Sequence, residues 1–99
     1  MNKDLIEALS SQLNLTHKQR NQAERNFLSL DLEELGLPAG YVAYIVCRFV
    51  VHTDEDDKRQ CHPSCNFSDV PMEFARVRVS LKIQADEIQS IYGKVQQRL

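Results

Sequence analysis

Leu5, Ile6, Leu9 and Leu13 stand among polar neighbours near the start of the chain, and their three-and-four spacing predicts an amphipathic helix over residues 3–14. Thr16, followed three residues later by Gln19, matches a capping box, in which hydroxyl and amide side chains satisfy backbone donors at a helix start. A second helical segment is therefore expected over residues 17–35. Its first part is polar (His17, Lys18, Gln19, Arg20, Asn21, Gln22), with only Ala23, Phe27 and Leu30 forming a narrow apolar stripe. Asp31 begins a further turn, Leu32 to Leu35, which Gly36 can close in a left-handed cap. Pro38, Ala39 and Gly40 then redirect the chain.

From Tyr41 to His52 the sequence is dense in β-branched and aromatic residues and free of glycine and proline, which predicts a strand over residues 41–52. Between Phe74 and Ile83 the pattern alternates. Ala75, Val77, Val79, Leu81 and Ile83 fall on one side, and Arg76, Arg78, Ser80 and Lys82 on the other. This predicts a half-buried strand over residues 74–83, with Val79 inward and Arg78 outward. Residues 53–72 join the two strands as a long loop. A last helix over residues 86–98 is expected from Asp86 as its cap, Gln89 at the reciprocal position, and the apolar face of Ile88, Ile91, Tyr92, Val95 and Leu99. The expected architecture is a single α+β domain spanning the chain: two N-terminal helices, a long two-stranded antiparallel β-ribbon with a long connecting loop, and a C-terminal amphipathic helix packed on the sheet.

Each strand would span about 35–40 Å at ~3.3 Å per residue, whereas a domain of this length has a radius of gyration of about 13 Å. The ribbon must bend, protrude or meet a second copy, so a homodimer is expected. One face packs on the helices. The other carries Tyr44, Val46, Arg48, Val50 and His52 beside Arg76, Arg78 and Lys82, a mixed apolar and basic surface suited to a partner. Tyr44, Arg48, Arg76, Arg78 and Lys82 are the candidate binding residues.

Charge changes this picture locally. The net charge of −2 argues against a whole-molecule nucleic-acid binder, but the charge is unevenly spread. Residues 53–73 hold six acids against Lys58 and Arg59, giving −4, and residues 74–99 hold five bases against Asp86 and Glu87, giving +3. His17, Lys18 and Arg20 crowd the start of a helix, where the macrodipole prefers acids. This can mark an acidic partner or a phosphate nearby.

The longest apolar run, Tyr41 to Cys47, is far short of the ~20 residues a membrane span needs. The first residues do not read as a signal peptide, and a cytoplasmic location is expected. An odd number of cysteines, Cys47, Cys61 and Cys65, makes no disulfide framework. Cys61 and Cys65, with His52 at the end of the first strand, form a candidate zinc set. No fourth ligand is well placed, because His62 adjoins Cys61 and Cys47 has opposite strand parity to His52. No cofactor is therefore expected, and zinc is the lesser reading. Asp54, Glu55, Asp56 and Asp57 lack the glycine turn and closing glutamate of a calcium loop.

No glycine-rich phosphate loop, nucleophile elbow or motif-paired histidine is present, and an enzyme is not expected. The function expected from sequence is a small protein-interaction module, a regulatory or inhibitory accessory protein that binds another macromolecule. The alternatives are a nucleic-acid-binding domain using the basic sheet face, with Tyr44 stacking on bases, and a zinc-stapled regulator. The acidic run at residues 54–57 disfavours nucleic acid, since it would repel phosphates within a Debye length of ~10 Å.

Overall fold

The apolar spacing of the first stretch does form a helix, α1 (Asn2–Gln12), which buries Ile6 and Leu9, with Leu13 following in the turn. In this computed structural model, which describes residues 2–54 and 72–99, α1 ends in a Schellman cap. Leu15 donates its N–H to the Ser10 carbonyl at 2.9 Å and Asn14 donates to Ser11 at 3.3 Å. Asn14 is left-handed, with φ of 56°, a conformation its short polar side chain tolerates. The second helix, α2 (His17–Leu28), starts on the expected capping box. Thr16 Oγ1 accepts from the Gln19 N–H at 3.1 Å, and Gln19 Oε1 accepts from the Thr16 N–H at 2.9 Å. A short helix, α3 (Leu32–Leu35), is capped by Asp31 at its start and ended by left-handed Gly36, φ 66°.

Beyond Gly36 the structure departs from the predicted strands. The residues read as a ribbon are helices, α4 (Ala39–Thr53) and α5 (Met72–Ser80), followed by α6 (Ala85–Gln96). The described residues are all-helical, and the α+β expectation is corrected accordingly. The physical reason lies in burial. Residues Val42 to Arg48, with Val50 and Val51, are all buried, because α4 packs against α1, α2, α5 and α6. A helix enclosed on every side is apolar all round and shows no amphipathic stripe. The β-branched residues cost it up to about 0.7 kcal/mol each in helix propensity, while burying each one contributes roughly 1.5–3 kcal/mol. Packing outweighs local preference. Helix formation also resolves the length problem. Fifteen helical residues span about 22 Å, within the 31 Å longest dimension of the molecule.

In α5 the core-facing residues are Phe74 and Val77, with Leu81 half-buried just beyond, a three-and-four spacing hidden inside the alternation. The strand parity is overturned with it. Val79 is 63 % exposed, and half-buried Arg78 turns back so that Nη1 donates to the Ile83 carbonyl at 2.8 Å. A second Schellman cap ends α5. Ile83 donates to Arg78 and Lys82 to Val79, with Lys82 left-handed at φ 62°. The last helix buries Ile88, Ile91 and Val95 as expected. Its N-cap is Gln84, and Asp86 lies in the first turn.

Candidate functional site

Of the five candidate binding residues, the structure brings three together and separates two. Tyr44 and Arg48 lie one helical turn apart on α4, both closed to solvent, and Arg48 is only 1 % exposed. The Tyr44 hydroxyl donates to the Phe74 carbonyl at 3.0 Å and accepts from Arg48 Nη1 at 3.2 Å. The guanidinium carbon lies 5.7 Å from the Tyr44 ring centre and 5.9 Å from that of Phe74, within the range of cation–π attraction. The Tyr44 and Phe74 rings meet edge-to-face at 6.4 Å. Arg78 is close enough to bear electrostatically on both Tyr44 and Arg48. Arg76 and Lys82 are exposed elsewhere, so the mixed basic face predicted from strand parity does not exist.

Tyr44, Arg48 and His52 still share a face, because a spacing of four residues is even along a strand and nearly one turn along a helix. His52 stacks near Tyr92, ring centres 5.8 Å apart, and Phe49 meets the same tyrosine at 6.2 Å. Burial, then the positive charge of Arg48, lowers His52 to about 4. Burial also lowers Arg48 itself and raises Tyr44 and Tyr92. Cys47 is pushed up to about 12 by burial, with the Ser10 hydroxyl pulling weakly the other way, so it offers no thiolate. This interior node fixes α4, α5 and α6 against one another. Its central groups, Tyr44 and Arg48, have no route to a ligand in solution.

The zinc set is not assembled among the described residues, where no three metal-ligating side chains converge. Of that set only His52 is described; Cys61 and Cys65 lie outside, as do residues 55–57 of the acidic run. An open groove of about 640 Å³ is lined by Gln12, Asn14, Glu73, Arg76, Val77 and Ser80. Its walls carry no nucleophile paired with a base.

The surface that does gather chemistry is α2. Its inner side is Gln19, Ala23 and Phe27, all buried. Gln19 holds the helix in place, since its Nε2 donates to Asp54 Oδ2 at 2.9 Å at the far end of α4 while its Oε1 closes the capping box. Outward stand His17, Lys18, Asn21, Gln22 and Arg25, all exposed. The helix carries three bases and one acid, Glu24, which is half-buried. On the flank Arg20 Nη2 contacts His17 Nδ1 at 3.0 Å. Farther along, Gln22 Nε2 donates to Asn26 Oδ1 at 3.2 Å. The sequence signalled the start of this set through His17, Lys18 and Arg20. Reasoning from the ribbon missed Asn21, Gln22 and Arg25, although the capping box already fixed which way they face.

Comparison with family models, with curated proteins and with solved structures finds no match to this chain.

Proposed function

We propose that this protein is a non-enzymatic binding module for duplex DNA, and that α2 is the helix that enters the major groove. The observation that carries the reading is the outer side of α2, where Lys18, Asn21, Gln22 and Arg25 face solvent, with His17 and Leu28 exposed beside them. Two further features support it. α1 and α2 are joined by four residues, Leu13 to Thr16, with left-handed Asn14 in the turn, the length and backbone of a helix-turn-helix connection. The absence of acids from the first turn of α2, unfavourable to the helix alone, suits a polyanion. The nucleic-acid alternative drawn from the sequence thus moves from a sheet face to a helix.

Protein interaction is the second reading, and the exposed side chains of Leu28 and Val79 favour it. Single exposed apolar residues are ordinary on protein surfaces, however. A cytoplasmic location belongs to the DNA reading. Among the described residues no helix is long and apolar enough to cross a membrane.

Fluorescence anisotropy with labelled duplex DNA tests the proposal. Binding is expected at about 50 mM salt and should weaken several-fold or more by about 200 mM, because each neutralised phosphate releases counterions. The double variant Lys18→Ala/Arg25→Ala should bind more weakly and lose salt dependence. No binding of any duplex at low salt would end the DNA reading.

A further inference from the structure

The outer side of α2 is ordered in a way that bears on which DNA it takes. Lys18, Asn21, Gln22 and Arg25 are spaced by three, one and three residues, so at ~100° per residue they fall within one stripe about 100° wide. From Lys18 to Arg25 the stripe runs about 10 Å at ~1.5 Å per residue, close to the ~12 Å width of a B-DNA major groove. Along the axis the two amides lie between the two cations, while around it Asn21 and Gln22 form the stripe's edges, about 100° apart, with Lys18 and Arg25 between them. Asparagine and glutamine match adenine, because one amide can donate to N7 and accept from the N6 amino group. Lysine and arginine at the ends of such a stripe reach the phosphates that border the groove.

Resting on the DNA reading above, we infer that α2 selects adenine-containing sites, with Asn21 and Gln22 on base edges and Lys18 and Arg25 on flanking phosphates. The mounting of the helix serves this. Gln19 ties α2 to Asp54 from the inner side, so the stripe is presented on a fixed element rather than a loop. The Gln22–Asn26 hydrogen bond lies on the exposed surface, where exchanging it for a base contact is inexpensive. Glu24 is half-buried off the stripe. Double-stranded RNA is not a substitute target, since its major groove is too deep and narrow for side chains to read.

Selection of the full chain on a pool of duplexes with a randomised centre, followed by sequencing, tests the inference. The recovered motif should contain adenine at defined positions. Asn21→Ala and Gln22→Ala, both at exposed sites that leave the core intact, should each abolish preference at one position and weaken the selected site by roughly 5- to 150-fold. Affinity for random duplex should change little. Lys18→Ala should instead weaken all duplexes alike and lower the salt slope by about 0.9. Binding with no base preference, or a motif unaffected by either amide variant, would overturn the adenine assignment while leaving DNA binding intact. No binding of the pool at low salt would overturn both.

Discussion

Arg48 shows how a charge survives in the core of so small a protein. Two aromatic faces and the Tyr44 hydroxyl surround it, and Tyr44 in turn satisfies the Phe74 carbonyl. Tyr44→Phe removes both bonds without changing shape, and should destabilise the protein by about 1–3 kcal/mol in urea unfolding, since it strands buried polar groups. His52 gives the node a pH dependence. Its folded value is depressed to about 4, while the unfolded chain takes the proton at about 6.5. The contribution is therefore fully present above about 6.5 and is lost as pH falls through about 4. Because His52 is half-buried, solvent screening discounts the loss to about 1–2 kcal/mol. His52→Gln should flatten the stability profile across that window relative to the parent. Lys82 offers a gain: its left-handed backbone costs a non-glycine residue roughly 1–2 kcal/mol. Lys82→Gly should raise the melting temperature by a few degrees, and an unchanged or lower value would contradict the conformation.

At the level of elements, legibility in the sequence followed exposure. α1, α2, α3 and α6 each have a wet side, so their periodicity is written in polar residues; at α2 and α3 Thr16, Gln19 and Gly36 also cap as their types suggest, whereas at α6 Asp86 lies in the first turn and Gln84 takes the cap position without a side-chain bond. α4 has no wet side over most of its length, and Val42, Ile45, Val46, Val50 and Val51 were chosen by packing. Its β-branched run resembled a strand, and only its length, twelve residues from Tyr41 to His52, pointed to a helix, strands usually running 4–8. α5 misled differently. Phe74 and Val77 face the core, but exposed Val79 completed a false alternation. Val79→Asp should accordingly cost less than about 1 kcal/mol, where strand parity would make it unfold the protein. The candidate site was half legible, since the cations at the start of α2 stood out while the ribbon reading directed attention to Arg76 and Lys82. Gln19 links the two regions. Gln19→Ala loses the capping box and the Asp54 tie together, and a loss of about 1–3 kcal/mol is expected in denaturant melts.

For the molecule as a whole, charge and size pull against each other. The chain is net −2, while α2 carries three bases against one acid, so under the DNA proposal the approach is oriented, with the outer side of α2 leading and Asp54 meeting the helix at Gln19, on its inner side. Under that proposal, a single helix in the groove would cover little DNA. Modules of this kind bury only about 600–1,000 Å², and a few phosphate contacts supply modest affinity at physiological salt. The homodimer expected from sequence rested on a ribbon that is not formed, but DNA gives a second copy a different role. Two chains related by a two-fold axis would place their α2 helices on the same side of the duplex, one turn apart. Duplexes carrying two copies of the selected motif with centres about 10–10.5 bp apart should then bind two chains cooperatively. Shifting the spacing by about 5 bp puts the second motif on the opposite side of the duplex, and cooperativity should vanish. Gel-shift titrations across a spacing series read this directly, and equal, independent occupancy at every spacing would establish that each chain binds alone.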